Sequence, residues 1–278
     1  MSQKLSKNEL LDLIGKHKLY DLAHTYFAGM PHFPTHPPFV FGLARKHGDM
    51  VMEGGASSAA ESIALGGHVG THIDALCHYS CDGMLYGGVE AKAVQNDSSG
   101  FSQLGVDTIA PILRHGVLLD IAAQMNVDVL PADFAITPKQ LETALETAQT
   151  TIGPGDVVLL RTGWARYFEN TALFVTGGQG GSQARHAVTG PGPELEAARW
   201  LSERGIFAAG SDTIAFEKVP AARMPVHVHL LVESGIHIIE ALNLEDLSRD
   251  GICEFVFMAA PLKIRGATGS PIRPLALA

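Results

Sequence analysis

Cysteine and long apolar runs are scarce in this sequence. It contains three cysteines, Cys77, Cys81 and Cys253, in 278 residues. So low and odd a number provides no disulfide framework and is typical of a reducing compartment. No stretch approaches the roughly 18 apolar residues of a membrane span, and charges interrupt residues 1–18 too often for a signal-peptide core. We therefore expect a cytoplasmic protein that has no membrane partner.

Positive charge is scarce as well. The chain has 20 Lys and Arg against 29 Asp and Glu, which gives a formal net charge of −9. Binding to nucleic acid requires clustered Lys and Arg that displace counterions from phosphates, and the sequence has no basic run. Hydrophobic residues make up 46% of the chain and charged residues 18%, so a large core can be buried. We expect a small-molecule partner rather than a nucleic acid.

Three common nucleotide-binding or catalytic motifs are missing. The glycines at 177–181 match neither the dinucleotide fingerprint nor the P-loop, because their spacing is wrong and no Lys-Ser or Lys-Thr follows. Ser182 lies in GGSQA and lacks the closing glycine of a nucleophile elbow. The chemistry must therefore come from another part of the chain.

A histidine cluster is the most informative segment present. Residues 68–78 read HVGTHIDALCH and contain His68, His72, Asp74 and His78. Imidazole nitrogens and carboxylate oxygens are preferred ligands of borderline divalent ions, and closeness in sequence lowers the entropy cost of bringing them together. The segment therefore predicts a metal site.

The same segment cannot be a straight strand. At about 3.3 Å per residue, His68 and Asp74 would stand roughly 20 Å apart, whereas two ligands of one ion lie within about 4 Å of each other. The chain must curl, and glycine permits the tight or left-handed backbone that this requires. Three glycines are available: Gly66, Gly67 and Gly70.

A non-enzymatic alternative uses the nearby thiols. His68, His72, Cys77 and Cys81 could close a tetrahedral structural zinc site with no open position. Such a site would not need Asp74, and a chain with this much core does not need a metal to fold. We favour an open, catalytic site.

Helical and strand patterns alternate along the second half of the chain. Short apolar or β-branched runs predict strands, and capping signals at Thr137 and Pro193 predict helices to about Ala148 and Gly205. The alternation indicates an α/β fold. A capping box at Ser6–Glu9 predicts a short amphipathic helix that ends at Gly15, within an N-terminal helical arm over residues 1–20. The predicted strands are Val117–Ile121, Val157–Arg161, Ile206–Ala209, Ile236–Glu240 and Glu254–Ala259.

The string His-x-Gly-Thr-His-x-Asp followed by His78 resembles the signature of the cyclase family of metal-dependent hydrolases, which includes kynurenine formamidase, isatin hydrolase and trans-dienelactone hydrolase. Other blocks of this chain resemble the family's in the same order, so the resemblance spans nearly the whole chain. These blocks are DLAHTYFAGMPHFPTHPPF (21–39), GDVVLLRTGW (155–164), GPGPELEAARWLSERGIFAAGSDT (190–213), PVHVHLLVESGIHIIEALNLEDL (225–247) and PLKIRGATGSPIRP (261–274).

The resemblance implies roles for individual residues. His68, His72 and Asp74 resemble the ligands of a first metal, and His78 resembles the catalytic acid/base. From spacing alone, His227, His229 and His237 could equally be structural histidines. With the resemblance, His227 and Glu240 match the pair that completes a second ion or acts on the substrate, while His229 and His237 remain structural neighbours.

The resemblance also implies a fold, a cofactor and a reaction. We expect a single domain over residues 1–278 with the swivelling β/β/α fold, assembled as a homodimer or homotetramer, with one or two ions of Zn²⁺ or Mn²⁺. Metal-bound hydroxide would attack a small amide, cyclic imide or lactone, and His78 would transfer the proton. Two alternatives stay open: a lyase or cyclase reaction through an enolate, and kynurenine formamidase activity, from which Leu76 departs because the compact formamidases have proline there.

One loop is expected to wall the site. Residues 30–38, MPHFPTHPP, contain four prolines, two histidines and Phe33. Proline stiffens the backbone, so apolar side chains are held there at low entropy cost. Phe27, Phe33 and Phe39 are therefore candidates for a pocket wall.

Overall fold

Strands dominate the computed structural model, which describes residues 15–178 and 188–278. The strands are, in chain order, β1 Leu19–Asp21, β2 Val40–Arg45, β3 Ala60–Ala64, β4 His72–Asp74, β5 Met84–Leu85, β6 Val89–Glu90, β7 Gln95–Asn96, β8 Gly100–Phe101, β9 Ile112–Asp120, β10 Ala135–Ile136, β11 Val157–Arg161, β12 Gly192–Pro193, β13 Ala208–Ser211, β14 His237–Glu240, β15 Glu254–Ala259, β16 Gly269–Pro271 and β17 Leu275–Leu277.

The helices are short and lie between these strands. They are α1 Ala91–Val94, α2 Ile121–Gln124, α3 Pro138–Ala148, α4 Thr171–Thr176, α5 Leu195–Ser202, α6 Pro225–His227 and α7 Glu245–Arg249. A π-helical segment, Val228–Ser234, continues directly from α6. Within the described ranges, no helix has the length and apolar character needed to cross a bilayer.

One mixed sheet of nine strands organises the molecule, in the order β1-β17-β15-β9-β11-β13-β14-β4-β16. The central strands β9, β11, β13 and β14 are parallel, and the remaining pairings are antiparallel. Parallel strands are normally covered on both faces, and β11 is buried along its whole length. The sheet thus provides a rigid support whose strand ends carry polar side chains.

Alternate residues of the central strands feed two apolar clusters. In β11, Val157 and Leu159 belong to one cluster, while Val158 and Leu160 belong to the other. The second cluster also receives the apolar faces of α3 and α5. A third cluster, which includes Met30, Phe39, Trp164 and Phe174, lies away from the sheet centre.

The α/β prediction is confirmed, and several boundaries agree with the sequence pattern. The strands Val157–Arg161 and Glu254–Ala259 have the predicted bounds, and α3 begins after Thr137 with the predicted capping box between Thr137 and Gln140. The remaining predicted strands are present with shifts at their ends, as Ile112–Asp120, Ala208–Ser211 and His237–Glu240.

Two boundary predictions are wrong. Pro193 does not begin a helix, because it pairs with Ile136 in a short parallel ladder and α5 starts only at Leu195. The predicted N-terminal arm does not extend to residue 20, since Leu19–Asp21 pairs with the strand Leu275–Leu277. The capping box at Ser6–Glu9 and the glycine-rich segment around Ser182 lie outside the described residues.

Candidate metal centre

The histidine cluster curls as its glycines predict. His72–Asp74 is a strand of three residues, and turns precede and follow it. Gly70 has a φ of +62°, and a side chain there would collide with the Tyr26 ring, so this turn requires glycine. Within the strand, Ile73 points into the core while His72 and Asp74 share the opposite face.

The neighbouring strand adds a carboxylate to that face. Glu240 is the cross-strand partner of His72 in the antiparallel pairing of β14 with β4. The Nε2 atom of His72 lies 3.4 Å from Glu240 Oε2 and 3.5 Å from Asp74 Oδ1. Strand register therefore brings together two groups that are 168 residues apart in the chain.

His68 and His78 approach Asp74 from the other side. The Nδ1 atom of His68 lies 2.7 Å from Asp74 Oδ1, and its Nε2 lies 2.8 Å from Thr268 Oγ1. The imidazole of His78 stacks on that of His68 with ring centroids 3.8 Å apart. His237, predicted to be structural, places its Nδ1 2.9 Å from the backbone oxygen of Asp74 and supports the segment from behind.

His227 completes the cluster from the helix Pro225–His227. Its Nε2 lies 3.2 Å from Glu240 Oε1, and its Nδ1 lies 2.7 Å from Glu217 Oε1. Glu240 Oε1 also accepts a hydrogen bond of 2.7 Å from the amide of Phe216. His227, Glu217 and Glu240 are all buried.

Two atoms of the cluster are buried and have no hydrogen-bond partner among the described residues: His72 Nε2 and Asp74 Oδ2. A buried polar atom without a partner costs free energy unless a ligand satisfies it. Both atoms are metal-ligand types and face a common space, so the residues present fit a divalent ion.

Among the described residues, ligand atoms that lie within 4.8 Å of one another fall into two groups, His68–Asp74–His78 and His72–Asp74–Glu240. Asp74 belongs to both, as a bridging carboxylate would. The sequence-based grouping put His68 and His72 on one ion with His78 outside it, so the structure brings the predicted residues together and divides them differently. No cysteine of the described chain enters either group: Cys77 is buried beside the Ala267 carbonyl, and Cys81 is exposed.

The imidazoles of the cluster have opposite protonation preferences. Burial lowers the pKa of His78 to about 3, which leaves its ring neutral. Burial also acts to lower the pKa of His227, but the carboxylates of Glu217 and Glu240 outweigh it and raise the pKa to about 10. Burial acts to raise the pKa of Asp74, but the nearby imidazoles of His78 and His68 outweigh burial and hold this pKa far below its usual range. The carboxylate of Asp74 is thus ionised and available as a ligand.

The loop at 30–38 walls the site, as its composition predicts. Pro31, His32, Phe33 and His36 line a cavity together with His68, His72 and Glu240, and Phe174 and Ile214 complete its wall. The cavity measures about 10 Å³, which is about the space of one water molecule. Phe27 and Phe39, also considered as wall residues, pack into the third apolar cluster instead.

Sequence reasoning missed Glu217 and Thr268. Glu217 orients His227, and Thr268 contacts His68, but neither lies in a motif with recognisable ligand spacing. One signal for Glu217 was available, since it is an isolated acidic residue in the apolar stretch TIAFEKVP before a predicted metal-binding histidine. Its burial and two contacts with His227 follow only from the tertiary fold.

The fold and the site define an α/β protein with a buried cluster of imidazoles and carboxylates that are candidate ligands for a divalent metal ion. Comparison of sequences makes the assignment specific. Residues 20–218 match the model of the family Cyclase ("Putative cyclase"). The chain therefore belongs to the cyclase family.

Two curated relatives of this chain are enzymes with different names. An isatin hydrolase from Roseibium aggregatum is 31% identical over 221 residues, which cover 77% of this chain and 73% of that protein. A kynurenine formamidase from Bordetella petrii is 22% identical over 258 residues, which cover 93% of this chain and 97% of that protein. Both relatives align over most of their own length.

Solved structures agree with the fold assignment. A crystal structure of a novel cyclase superposes with a TM-score of 0.83 at 30% identity and covers 96% of this chain and 89% of that chain. Isatin hydrolase A from Ralstonia solanacearum superposes with a TM-score of 0.75 at 26% identity and covers 100% and 99% of the two chains. The prediction of the swivelling β/β/α fold of the cyclase family is confirmed.

Proposed function

We propose that this protein hydrolyses a small cyclic amide, imide or lactone, with one or two divalent ions, Zn²⁺ or Mn²⁺, held by His68, His72, Asp74, His227 and Glu240. The observation that carries the proposal is the convergence of His72 Nε2 and Asp74 Oδ2, both buried and unpartnered in the described chain, beside Glu240. A bound ion would lower the pKa of a water ligand and polarise the substrate carbonyl.

Side chains of the protein carry out proton transfer, exclusion of water and positioning. The ring of His78, which stacks on His68 and lies beside Asp74, accepts the proton of the attacking water and returns it to the leaving nitrogen or oxygen. Phe33 and Phe174 exclude water and provide apolar surface for the non-reacting part of the substrate. Glu217 holds His227 in one orientation, and His227 with Glu240 positions either a second ion or the substrate.

The apolar side chains around the histidines favour a substrate that carries an apolar ring beside the scissile carbonyl. The walls next to the histidines include Phe33, Phe174 and Ile214. The isatin hydrolase relative supports a cyclic amide fused to an aromatic ring, since isatin has that structure. Leu76, two residues after Asp74, departs from the proline of compact formamidases, so we place formamidase activity second.

Metal analysis followed by a substrate panel in labelled water tests the proposal. Protein purified without chelator is assayed for Zn and Mn, and then with isatin-like cyclic amides, cyclic imides, lactones and formanilides in H₂¹⁸O. We expect at least one bound divalent ion per chain, turnover of a cyclic substrate and one ¹⁸O atom in the product. Product formed without ¹⁸O would instead indicate the lyase or cyclase route through an enolate, and protein that binds no divalent ion would overturn the proposal.

A further inference from the structure

A cavity of about 250 Å³ lies apart from the cavity at the metal centre. We call it the reverse-face cavity, and its wall includes Leu76, Arg114, Phe207 and His237. None of its lining residues lines the cavity at the metal centre, which measures about 10 Å³. Because a cavity of about 150 Å³ is enough to bind benzene, the reverse-face cavity has room for a molecule with one ring.

The reverse-face cavity lies across the sheet from the metal centre. Side chains alternate between the two faces along β14, so His237 shares a face with Ile239 while Glu240 points to the other face. Ile239 belongs to the first apolar cluster, and Phe207 packs against that cluster as well. A molecule in this cavity is therefore a second ligand, separate from a substrate at the metal centre.

One hydrogen bond connects this cavity to the metal-binding segment. The Nδ1 atom of His237 lies 2.9 Å from the backbone oxygen of Asp74. A carbonyl oxygen can only accept, so Nδ1 carries the hydrogen and Nε2 of the neutral ring is an acceptor. This Nε2 has no hydrogen-bond partner in the part of the chain that the structure describes. The cavity therefore offers an acceptor to an N–H or O–H group of a ligand.

Arg114 adds a positive charge to the same wall. Its guanidinium carbon lies 4.0 Å from the centroid of the Phe207 ring, and its Nη1 donates a hydrogen bond of 3.0 Å to the backbone oxygen of Gly155. These two contacts fix the plane of the guanidinium. No carboxylate of residues 15–178 or 188–278 forms an ion pair with Arg114. A guanidinium held in this way favours a carboxylate of a ligand.

We propose that the reverse-face cavity is an effector site for a small organic acid whose apolar or aromatic body carries one carboxylate and one N–H or O–H donor. The carboxylate pairs with Arg114, and the donor bonds to Nε2 of His237. The apolar body rests against Leu76, Ile109 and Phe207. Leu76 is the residue at which the sequence departs from the compact formamidases, and its side chain forms part of this wall.

The proposed reaction itself yields a compound of this class. Opening a cyclic amide, imide or lactone releases a carboxylate together with an amine, amide or hydroxyl group on the same molecule. The product is therefore a candidate effector. This identification of the ligand rests on the proposed function, whereas the chemistry of the cavity does not.

A bound effector acts on the metal centre through His237. A donor on Nε2 polarises the imidazole and strengthens the hydrogen bond from Nδ1 to the Asp74 carbonyl. The occupied cavity thus holds the metal-binding segment more firmly. Coupling between two ligands is reciprocal, so bound metal tightens effector binding by the same factor.

Isothermal titration calorimetry with simple aromatic acids tests the site. The probes are 2-, 3- and 4-aminobenzoate, which hold the carboxylate and the amine at different separations; benzoate lacks the donor, and aniline lacks the carboxylate. Arg114→Gln removes the cation. Arg199→Gln is the matched control, because this exposed arginine pairs with Glu196 on a helix outside the cavity. His72→Ala alters the metal centre and leaves the cavity intact, and circular dichroism verifies folding of each variant.

We expect at least one aminobenzoate to bind wild-type protein, with affinities within about threefold in Arg199→Gln and His72→Ala. Arg114→Gln should bind it at least about tenfold more weakly, because a charge-assisted hydrogen bond is lost, and benzoate should bind wild-type protein about threefold more weakly. An absence of aminobenzoate binding, or wild-type affinity in Arg114→Gln, would overturn the site. Loss of binding in His72→Ala would place the probe at the metal centre and would also overturn it.

A second readout tests the coupling. The tightest-binding aminobenzoate should slow the loss of metal to a chelator about twofold in wild-type protein and leave Arg114→Gln unchanged. An unchanged rate in wild-type protein would contradict only the link through His237. A protein that binds the probe but opens none of the cyclic substrates would refute the proposed function and leave the effector site in place.

Discussion

Glu217 accepts two hydrogen bonds from His227, one of 2.9 Å from its backbone amide and one of 2.7 Å from Nδ1. Both groups are buried, so the carboxylate fixes the ring and directs Nε2 towards Glu240. Carboxylates that hold the second nitrogen of a ligand histidine commonly set its tautomer and raise its basicity.

Glu217→Ala should therefore weaken binding of the ion that His227 serves. We expect a loss of about 10- to 100-fold in the affinity of the weaker-bound ion, because the ring loses its orienting partner. Glu217→Gln keeps an oxygen that accepts from Nδ1 and should lose less. Metal titration against a competing chelator measures both affinities. Equal affinities in Glu217→Ala and wild-type protein would contradict this role.

The structure leaves two roles open for the His78 ring, that of acid/base and that of metal ligand, and His78→Ala distinguishes them. We expect the variant to retain its metal and to lose about 10²- to 10⁴-fold in kcat, because the proton acceptor is removed while Asp74 and Glu240 remain. Metal content per chain and steady-state kinetics are measured on the same preparation. His72→Ala, the matched comparison, should lose both metal and activity. Loss of metal in His78→Ala would assign His78 as a ligand.

Cys77→Ser with Cys81→Ser tests the alternative of a structural thiolate site. Neither cysteine belongs to a ligand group of the described chain, so we expect the metal content to stay at the wild-type level. Burial raises the pKa of Cys77 to about 12, which disfavours the thiolate that zinc binds. Elemental analysis of the purified variant gives the answer, and loss of the ion would support the structural alternative.

Gly269→Ala should disturb the metal centre through sterics alone. Gly269 lies opposite Asp74 in the sheet, and an added methyl group would overlap the imidazole of His68. We expect the ring to be displaced and metal affinity to fall at least tenfold, with the fold retained. Gly153→Ala is the control, since its methyl group would meet only Asp156 at 3.8 Å. Chelator competition should leave this control at the wild-type affinity.

His24 should make stability depend on pH. Burial lowers the pKa of His24 to about 4, and its ring stacks on Phe168 at 3.8 Å. Below pH 6.5 the His24 side chain of the unfolded chain binds a proton, whereas that of the folded chain stays neutral. The contribution of His24 to the free energy of unfolding is therefore complete above pH 6.5 and is lost as the pH falls towards 4. The full effect is on the order of 3 kcal/mol.

Urea unfolding between pH 4.5 and pH 7 measures this effect. We expect the difference in unfolding free energy between wild-type protein and His24→Gln to shrink as the pH is lowered through this window. A difference that is constant with pH would contradict a neutral, buried His24.

The local sequence pattern was sufficient to predict many of the strands and helices. The run Val157–Arg161 and the capping box at Thr137 predicted their elements because hydrophobic periodicity and capping act between neighbouring residues. Pro193 was misread as a helix start, since its pairing with Ile136 depends on a segment more than 50 residues away. Such a pairing leaves no trace in the local pattern.

The sequence by itself determined that His68, His72, Asp74 and His78 lie close together, because a short segment with glycines can curl at little entropy cost. Only the tertiary structure decided which carboxylates meet these imidazoles, since the register of β14 on β4 places Glu240 opposite His72. It also decided that apolar side chains of the β2–β3 hairpin, such as Phe41 and Ile63, are exposed, because exposure depends on where every other segment packs and apolar content alone does not reveal it.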